Sequence, residues 1–289
     1  MTAGTLPKTI WIYWAQGEAA APYLVQRCIE SWRRDNPGWA LRLLDDGVWE
    51  TLPALEWLRS RNDIGLQHRA DLLRLELLAT HGGVWADATL FCNRPLDDWL
   101  AAWLDDDFFA FASIKRDRRI NNWFLAGGPD SRLLKAWHAA VVAFWRQHRF
   151  PPQGYWRRQL TRKLLSLRKR GLVTNGVWFS DFLLRRARAC PYPVNMYLFD
   201  KVVDDDPGLA RLWRHRRHHS DRDCEYLQHP LGIHQPVTAA SKAFLERGAA
   251  PVYKLNWRQD RGEALPGSNF EYLLRLKGGI RASAGGGAV

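Results

Sequence analysis

Short apolar runs alternate with amphipathic segments through the first hundred residues of this chain. The run TIWIYW (9–14) is β-branched and aromatic throughout, as in a strand that is buried on both faces. Apolar residues at helical spacing follow from Leu24 to Trp32, and a second strand candidate comes at 39–46. Strands that alternate with helices in this way predict an α/β domain with a parallel or mostly parallel sheet.

The alternation continues to residue 92 and loosens from about residue 105. The further predicted helices are 48–61, 66–83, 130–148 and 155–171, and the further predicted strands are 84–92, 108–114 and 121–128. We expect a single domain over residues 1–280. The last residues, ASAGGGAV (282–289), have the composition of a disordered tail.

The chain is basic, with 42 Lys and Arg residues against 30 Asp and Glu residues and a net charge of +12. This excess favours an anionic partner: nucleic acid, an acidic membrane leaflet or a phosphorylated small molecule. Four cysteines lie far apart without a CxxC pair, which indicates neither a zinc ribbon nor a disulfide framework and fits a reducing cytoplasm best. No signal peptide is recognisable, and no apolar run approaches the roughly 20 residues that span a bilayer. We therefore expect a soluble or membrane-peripheral protein.

Asp87 interrupts the apolar run VWADATLFC (84–92), which predicts a buried strand. Because an ionised carboxylate is costly to bury unless it is paired or bound to a cation, we expect Asp87 at an exposed strand end, where open α/β sheets bind ligands. Residues 87 and 89 of one strand point to the same side, so Asp87 and Thr89 can address one ligand together. Their oxygens suit Mg²⁺ or Mn²⁺. An aspartate that only caps a turn is an equally open alternative.

Several motifs recur in a family order: LPKTIWIYWAQG, SWRRDNPGWALRLLDD and HRADLLRLELLATHGGVWADATLFCNRPLDDWL. With them the chain resembles the capsular-polysaccharide-synthesis branch of the DxD-motif glycosyltransferases, family 32. Its wider superfamily includes yeast initiating mannosyltransferases and clostridial toxin glucosyltransferases. The resemblance is close over residues 5 to about 100, weaker at NNWFLAG, and faint at NGVWFSDFLL and VYKLNWR.

This resemblance implies a GT-A-like α/β fold, that is, a Rossmann-like, mostly parallel sheet flanked by helices with a helical C-terminal elaboration. It implies that residues 5–130 form the half that binds a nucleotide-sugar and that residues 131–258 form the acceptor-side, helical half. It also implies transfer of the sugar with retention at the anomeric carbon. No catalytic base is recognisable in the sequence, which agrees with a retaining front-face mechanism.

The resemblance also assigns residues to the donor site. Trp14, Ala15 and Gln16 would flank the nucleobase. Asp71, in HRADLLR, matches the aspartate that contacts the nucleotide or the donor sugar, and Arg74, one helical turn on, would face the same cleft toward phosphate or sugar. The alternative for Asp71 and Arg74 is an exposed ion pair that contributes little stability.

Asp87 matches the first acid of the DxD motif, whereas Thr89 stands where many family members carry the acid that coordinates Mn²⁺. A hydroxyl is a weaker ligand than a carboxylate, so Mn²⁺ or Mg²⁺ would bind loosely at Asp87 and Thr89, rely on another acid such as those at 204–207, or be absent. In the last case basic side chains would have to stabilise the departing diphosphate.

Three more residues match weaker motifs. Asn121 and Asn122 resemble the family's asparagine near the reacting sugar, although a polar turn before an apolar strand explains them equally well. Lys254, in VYKLNWR, matches a segment that closes over the diphosphate in this superfamily. A strand with one solvent-facing lysine is the alternative there.

Three further patterns have plainer explanations. The histidines and the cysteine within 211–229 match no standard zinc module and indicate a solvated basic loop. The aspartates at 97–98 and 105–107 are more typical of helix caps and loop ends than of a glycosidase carboxylate pair. The basic helix at 156–170, with an apolar stripe of Trp156, Leu160, Leu164 and Leu167, fits an anionic inner leaflet, a lipid-diphosphate acceptor or a packed, solvated surface helix.

The sequence thus predicts a bacterial-type glycosyltransferase that moves a sugar from a UDP-sugar to a polysaccharide or lipid-linked glycan acceptor. We expect it in the cytoplasm, peripheral on the inner face of the plasma membrane, and without a nucleic-acid partner. One alternative is a basic nucleic-acid-binding module, which the α/β pattern and the lack of a recognised module oppose. The other is a glycoside hydrolase that uses paired aspartates.

Overall fold

The computed structural model describes residues 6–105, 108–152 and 154–278, so the predicted tail at 282–289 lies outside the described residues. The strands are β1 (Thr9–Tyr13), β2 (Ala40–Leu44), β3 (Gly83–Ala86), β4 (Leu90–Cys92), β5 (Phe108–Ala112), β6 (Ile120–Gly127) and β7 (Val252–Lys254). The α-helices are α1 (Tyr23–Asp35), α2 (Val48–Thr51), α3 (Leu66–His81), α4 (Leu100–Trp103), α5 (Arg132–Gln147), α6 (Tyr155–Lys169), α7 (Val194–Asp205), α8 (Pro207–His215), α9 (Arg222–Tyr226), α10 (Ala239–Arg247) and α11 (Asn269–Leu276). These helices and strands confirm the predicted α/β class.

The chain divides into two compact units. Among the described residues, the first comprises those within 6–19, 38–87 and 100–221, and the second comprises those within 20–37, 88–99 and 222–278. A five-stranded sheet belongs to the first unit, and the two-stranded pair of β4 and β7 belongs to the second. The single domain over 1–280 stays a prediction.

The sheet of the first unit has the strand order β2-β1-β3-β6-β5. Strand β1 pairs in parallel with β2 and β3, whereas β6 runs antiparallel to β3 and β5. Four strands therefore share one direction, which confirms the predicted mostly parallel sheet. Strands β1 and β3 approach so closely that a Cβ atom on Gly83, whose φ is +105°, would lie 2.5 Å from the carbonyl oxygen of Thr9. Only glycine fits there.

Helices cover this sheet through an apolar core. Helix α3 packs on β1, β3, β6 and α5, and α5 packs on α7. Leu72 and Leu75 of α3, Trp137 of α5 and Phe199 of α7 are all fully buried in this core. The predicted flanking of the sheet by helices is thereby confirmed.

Two predicted elements are interrupted in the structure. Strand β3 ends at Ala86, and Ala88 and Thr89 form a turn before β4. The prediction of one strand over 84–92 is therefore wrong, and strand alternation gives no reason for Asp87 and Thr89 to point the same way. The predicted helix at 48–61 is α2 followed by a 3-10 segment, Pro53–Ser60, because a proline has no amide hydrogen to continue the α-helical bonds.

Helix α6 packs through its leucines but not through Trp156. Leu160, Leu164 and Leu165 contact the cluster around Trp178, whereas Trp156 is 81% exposed. Of the predicted apolar stripe, Trp156 is not packed because it lies in the first turn of α6, and the residues that face the cluster begin one turn later. The segment 211–229 is also more helical than the expected loop, since it contains the end of α8 and all of α9.

Among the described residues, the structure contains no helix with both the length and the apolar character that crossing a bilayer requires.

Candidate active site

A cluster of acids and amides lies in the first unit, where β3 ends. It contains Asp71 of α3, Asp87 immediately after β3, Asn122 of β6 and, between the two acids, Arg74 of α3. Strands β3 and β6 are neighbours in the sheet, and α3 leads directly into β3. Residues of α3, of β6 and of the segment after β3 therefore lie together at the carboxyl end of β3.

Both carboxylate oxygens of Asp71 have partners. Oδ1 accepts a hydrogen bond of 2.8 Å from the amide of Asn122 and lies 3.1 Å from the guanidinium of Arg74, and Oδ2 accepts one of 2.7 Å from Asn195. Burial acts to raise the pKa of Asp71, but Arg74, His68 and Asn195 together outweigh burial and hold this pKa below its ordinary value. Asp71 is therefore an anion at neutral pH.

Asp87 is the more accessible acid of the pair, with a side chain 26% exposed against 12% for Asp71. Its Oδ1 accepts a hydrogen bond of 3.0 Å from the indole of Trp85 and lies 3.3 Å from Arg74. Its backbone amide donates to the carbonyl of Trp123 over 2.9 Å. These contacts hold the carboxylate at the carboxyl end of β3, as the sequence predicted.

Arg74 is buried and fixed from several sides. It bridges Asp71 and Asp87, donates to the carbonyl of Asn122, and lies 5.0 Å from the ring centroid of Trp85. A guanidinium beside the buried carboxylate of Asp71 favours the ionised form of that acid. The exposed ion pair of little stability, the alternative for Asp71 and Arg74, is excluded because both side chains are buried.

Asn195 of α7 belongs to the cluster but has no recognisable signal in the sequence. Its side chain is fully buried, donates to Asp71 and accepts a hydrogen bond of 2.9 Å from the indole of Trp145. Its backbone carbonyl accepts one of 2.7 Å from the indole of Trp137. The sequence shows only a polar residue in the apolar run VNMYLF, which lies outside the motifs quoted above. Two tryptophans of α5 thus hold Asn195, one through its side chain and one through its backbone, and Asn195 orients Asp71.

An aromatic rim borders the acids. The ring of His68 lies 4.8 Å from that of Trp145 and 6.1 Å from that of Tyr192, and its Nδ1 is 3.7 Å from Asp71. Tyr192 is exposed between two buried prolines. An exposed ring at this position offers an apolar face and a hydroxyl to a bound molecule.

The two predicted asparagines lie apart. Successive residues of a strand face opposite sides of the sheet, so Asn122 joins Asp71 whereas Asn121 donates its amide to the carboxylate of Asp221. Asp221 is fully buried and also accepts a hydrogen bond of 2.9 Å from the backbone of Ile114. Only Asn122 is therefore part of the cluster.

The residues predicted to flank a nucleobase form the turn after β1. The amide of Trp14 donates to Leu44 over 2.9 Å, the amide of Asp46 donates to the carbonyl of Ala15 over 3.1 Å, and Gln16 is exposed. Because β1 and β3 are parallel neighbours, this turn lies on the sheet edge at which β3 ends.

Thr89 and Lys254 meet in the second unit. Strands β4 and β7 pair antiparallel, with Leu90 opposite Lys254. The ammonium Nζ of Lys254 donates a hydrogen bond of 2.6 Å to Oγ1 of Thr89, whose side chain is buried. The hydroxyl at the motif's third position thus has a cation as its partner.

This donor set does not fit a divalent ion at Thr89. A metal ligand must offer a lone pair to the ion, and an ammonium 2.6 Å from the ligand oxygen repels a second cation. The acids at 204–207 that could assist a metal have other partners: Asp204 lies 2.6 Å from Arg119, and Asp206 caps α8. In the described part of the chain, no three His, Cys, Asp or Glu side chains are grouped in a way that could hold a metal.

Comparison with known proteins identifies the family. Residues 3–166, more than half of the chain, match the family model described as capsular polysaccharide synthesis protein. The chain belongs to this family. The resemblance predicted from the motifs is therefore confirmed, and the matched range contains Asp71, Arg74, Asp87 and Asn122. Asn195 and Lys254 lie beyond it.

Relatives of the chain carry glycosyltransferase names. Glycosyltransferase afumC of Aspergillus fumigatus is 30% identical over 159 residues, which cover 48% of this chain and 40% of the relative. O-glycosyltransferase braB of Annulohypoxylon truncatum is 29% identical over 161 residues, which cover 49% and 38%. The chain thus spans about two fifths of the length of these fungal relatives. A solved structure, PaToxG glycosyltransferase, is 12% identical with a TM-score of 0.38 over 89% of this chain and 87% of its own, a similarity too low to carry an inference.

Proposed function

We propose that this chain is a glycosyltransferase that moves a sugar from a nucleotide diphosphate donor, a UDP-sugar, to a polysaccharide or lipid-linked glycan acceptor. The role would be in capsular or other surface polysaccharide synthesis. The observation that carries the proposal is the bridge from Asp71 through Arg74 to Asp87 in a member of this family. Two carboxylates held in place by one buried guanidinium are suited to accept hydrogen bonds from hydroxyl groups of a sugar or a ribose.

The cluster would bind and orient the donor. Asp87, the more exposed acid, accepts hydrogen bonds from ribose or sugar hydroxyls, and Asp71 does so from a position that Asn122 and Asn195 fix. The turn at 14–16 flanks the nucleobase on the same sheet edge. Orientation of this kind lowers the entropic part of the barrier, since the reacting groups are already placed.

In the proposed reaction the bond between the anomeric carbon and the diphosphate oxygen breaks while the acceptor hydroxyl attacks the same face of the sugar. The acceptor's proton passes to the departing diphosphate oxygen, so no protein base is required and configuration is retained. Positive charge develops on the sugar, and the fixed negative charges of Asp71 and Asp87 stabilise it.

We further propose that a basic side chain replaces the metal at the motif. Mn²⁺ or Mg²⁺ would supply positive charge to a departing diphosphate when bound, but the donor set at Thr89 does not fit such an ion. Lys254 already places an ammonium against that hydroxyl. The charge that the acid-bearing motif obtains from a metal would here come from the lysine.

A thermal-shift panel tests donor binding. Purified protein is heated with UDP-, GDP- and ADP-sugars, each in EDTA and in Mn²⁺. We expect one nucleotide-sugar to raise the melting temperature by mass action, equally in both buffers, and Asp71→Ala to lose that shift. Stabilisation by single-stranded nucleic acid alone, or release of sugar from glycosides without nucleotide, would favour one of the two alternative functions and contradict the proposal.

We also propose a cytoplasmic location at the inner face of the plasma membrane. The support is chemical: all four cysteines are buried thiols without a disulfide, as a reducing compartment maintains them. Fractionation of the native host tests it, with membrane association that a salt wash releases as the expected result. Recovery of the protein from an oxidising compartment would contradict it.

A further inference from the structure

Positive charge is concentrated in one part of this chain. Residues 131–180 contain eleven Lys and Arg residues and no Asp or Glu, while the whole chain has a net charge of +12. The remaining sequence is therefore close to neutral. Where these basic side chains are exposed, they can attract anionic partners.

The outward face of α6 displays much of that charge. One side of the helix packs against the cluster around Trp178 through Leu160, Leu164 and Leu165. At 3.6 residues per turn, the opposite side presents residues that are all exposed: Tyr155, Trp156, Arg158, Arg162, Lys163, Lys169 and Arg170. We call this surface the basic-aromatic face. In the described chain neither Arg162 nor Lys163 lies within ion-pair distance of a carboxylate.

Large aromatic rings stand at one end of this face. Tyr155 and Trp156, in the first turn of α6, are 66% and 81% exposed, with ring centroids 5.4 Å apart. Phe182, in the neighbouring π-helical segment Phe182–Ala187, is 58% exposed. A hydrogen bond of 2.9 Å from Arg157 to the carbonyl of Ala187 fixes this segment beside the first turn of α6.

Removal of these rings from water is favourable. Trp and Tyr have an apolar body and a polar tip and favour the boundary between lipid headgroups and acyl chains. Phe182 has no polar group, so it gains only from an apolar surrounding. Lysine and arginine side chains beside such rings pair with anionic headgroups.

We propose that the basic-aromatic face binds the surface of an anionic phospholipid bilayer. Tyr155, Trp156 and Phe182 lie at headgroup depth, and Arg158, Arg162 and Lys163 contact lipid phosphates. This surface extends the proposed function by naming the residues that hold the protein at a membrane. Its test uses vesicles without any sugar donor, so failure of vesicle binding and failure of sugar transfer are separate results.

Sedimentation with vesicles tests the proposal. The full chain is mixed with vesicles of phosphatidylcholine alone or of equal parts phosphatidylcholine and phosphatidylglycerol. We expect the protein to pellet with the anionic vesicles and to remain in solution with the neutral ones, with binding that weakens as salt is added. Tryptophan emission should shift to the blue when anionic vesicles bind.

Matched variants locate the surface. Charge reversal by Arg162→Glu with Lys163→Glu should weaken binding to anionic vesicles about tenfold or more. Arg59→Glu with Lys242→Glu changes the net charge equally at two exposed positions outside 131–180 and should leave binding nearly unchanged. Trp156→Ala, with its charges intact, should weaken binding several-fold and abolish the blue shift.

Three results would overturn the proposal: no pelleting of the wild type with anionic vesicles, equal losses in the two charge-reversed proteins, or full binding by Trp156→Ala. Tight binding of single-stranded RNA without binding of vesicles would assign the face to a different partner and would overturn it as well. Circular dichroism checks that each variant is folded. We expect all of them to fold because every substituted side chain is exposed.

Discussion

Lys254 donates a hydrogen bond of 2.6 Å from its ammonium group to the hydroxyl of Thr89. Thr89 stands at the third position of the DxD motif that the chain resembles, where the motif carries an acid that can bind a metal. This chain has a hydroxyl instead, and a lysine from β7 supplies positive charge beside it. We therefore propose that the lysine, rather than a metal, supplies positive charge beside Thr89.

Transfer should consequently not require a metal. We expect wild-type turnover to be the same in EDTA and in Mn²⁺, and Lys254→Met to lower it by about 10²-fold because a fixed stabilising charge is lost. Thr89→Asp combined with Lys254→Met should regain activity only when Mn²⁺ is added. Lys242→Met is the control at an exposed lysine of the same unit. Loss of wild-type activity in EDTA would show that a metal is needed.

Removal of Arg74 should destabilise the first unit. Arg74→Met leaves Asp71 and Asp87 without their shared cation, and breaking a buried ion pair in this way lowers the free energy of unfolding by about 3–5 kcal/mol. Arg59 forms an exposed pair with Glu56, so Arg59→Met should change it by less than about 1 kcal/mol. Urea unfolding of both variants measures the difference, and equal effects would contradict the burial argument.

The two neighbouring asparagines should differ in what they affect. Asn122→Ala removes a hydrogen bond to Asp71 and should lower turnover with a modest loss of stability. Asn121→Ala leaves the buried carboxylate of Asp221 with one donor fewer and should lower the free energy of unfolding by about 1–3 kcal/mol. Turnover and urea unfolding of the two variants test this, and indistinguishable profiles would argue against the separation seen on β6.

Asp200 should make stability depend on pH. Burial raises its pKa to about 6, although the backbone amide of Arg119 and the side chain of Asn175 donate hydrogen bonds to it. An unfolded aspartate has a pKa of about 3.9, so the folded state binds the proton more tightly. Protonation of Asp200 therefore stabilises the folded state. This stabilisation is complete below the unfolded pKa and is lost as the pH rises through about 6.

The wild type should therefore lose stability relative to Asp200→Asn between those two values. The expected loss is up to about 1.4 kcal/mol per pH unit. Urea unfolding of both proteins at successive pH values measures it. A difference that stays constant with pH would show that Asp200 titrates alike in the folded and unfolded chains.

Local patterns in the sequence predict much of this fold, because a buried strand and an amphipathic helix each leave a short-range signature. The helix that carries Asp71 and the mostly parallel character of the sheet next to it follow from such patterns and from the family motifs. The break after Asp87 does not, since VWADATLFC contains no glycine or proline to mark a turn. The exposure of Trp156 depends on where the packed cluster begins, which helical spacing alone does not specify.

Long-range partners were beyond the sequence for a different reason. Asn195 reaches Asp71 across 124 residues, and its place in the cluster is determined by the packing of α7 on α5. The pairing of Thr89 with Lys254 likewise requires β4 to meet β7 across most of the chain. Asn195 has no local pattern that differs from an ordinary polar residue in an apolar segment, and the motifs that contain Thr89 and Lys254 do not indicate that these two side chains meet.

We propose above all that Asp71 and Asp87 bind the sugar donor. The most direct test is the rate of nucleoside diphosphate release from the nucleotide-sugar that stabilises the protein. The rate is measured for the wild type, for Asp87→Asn and for the control Asp181→Asn, an exposed acid paired with Arg185. We predict that Asp87→Asn keeps the urea midpoint but releases diphosphate about 10²-fold more slowly or worse, while Asp181→Asn matches the wild type. A folded Asp87→Asn protein with near-normal turnover would contradict this assignment of the active site.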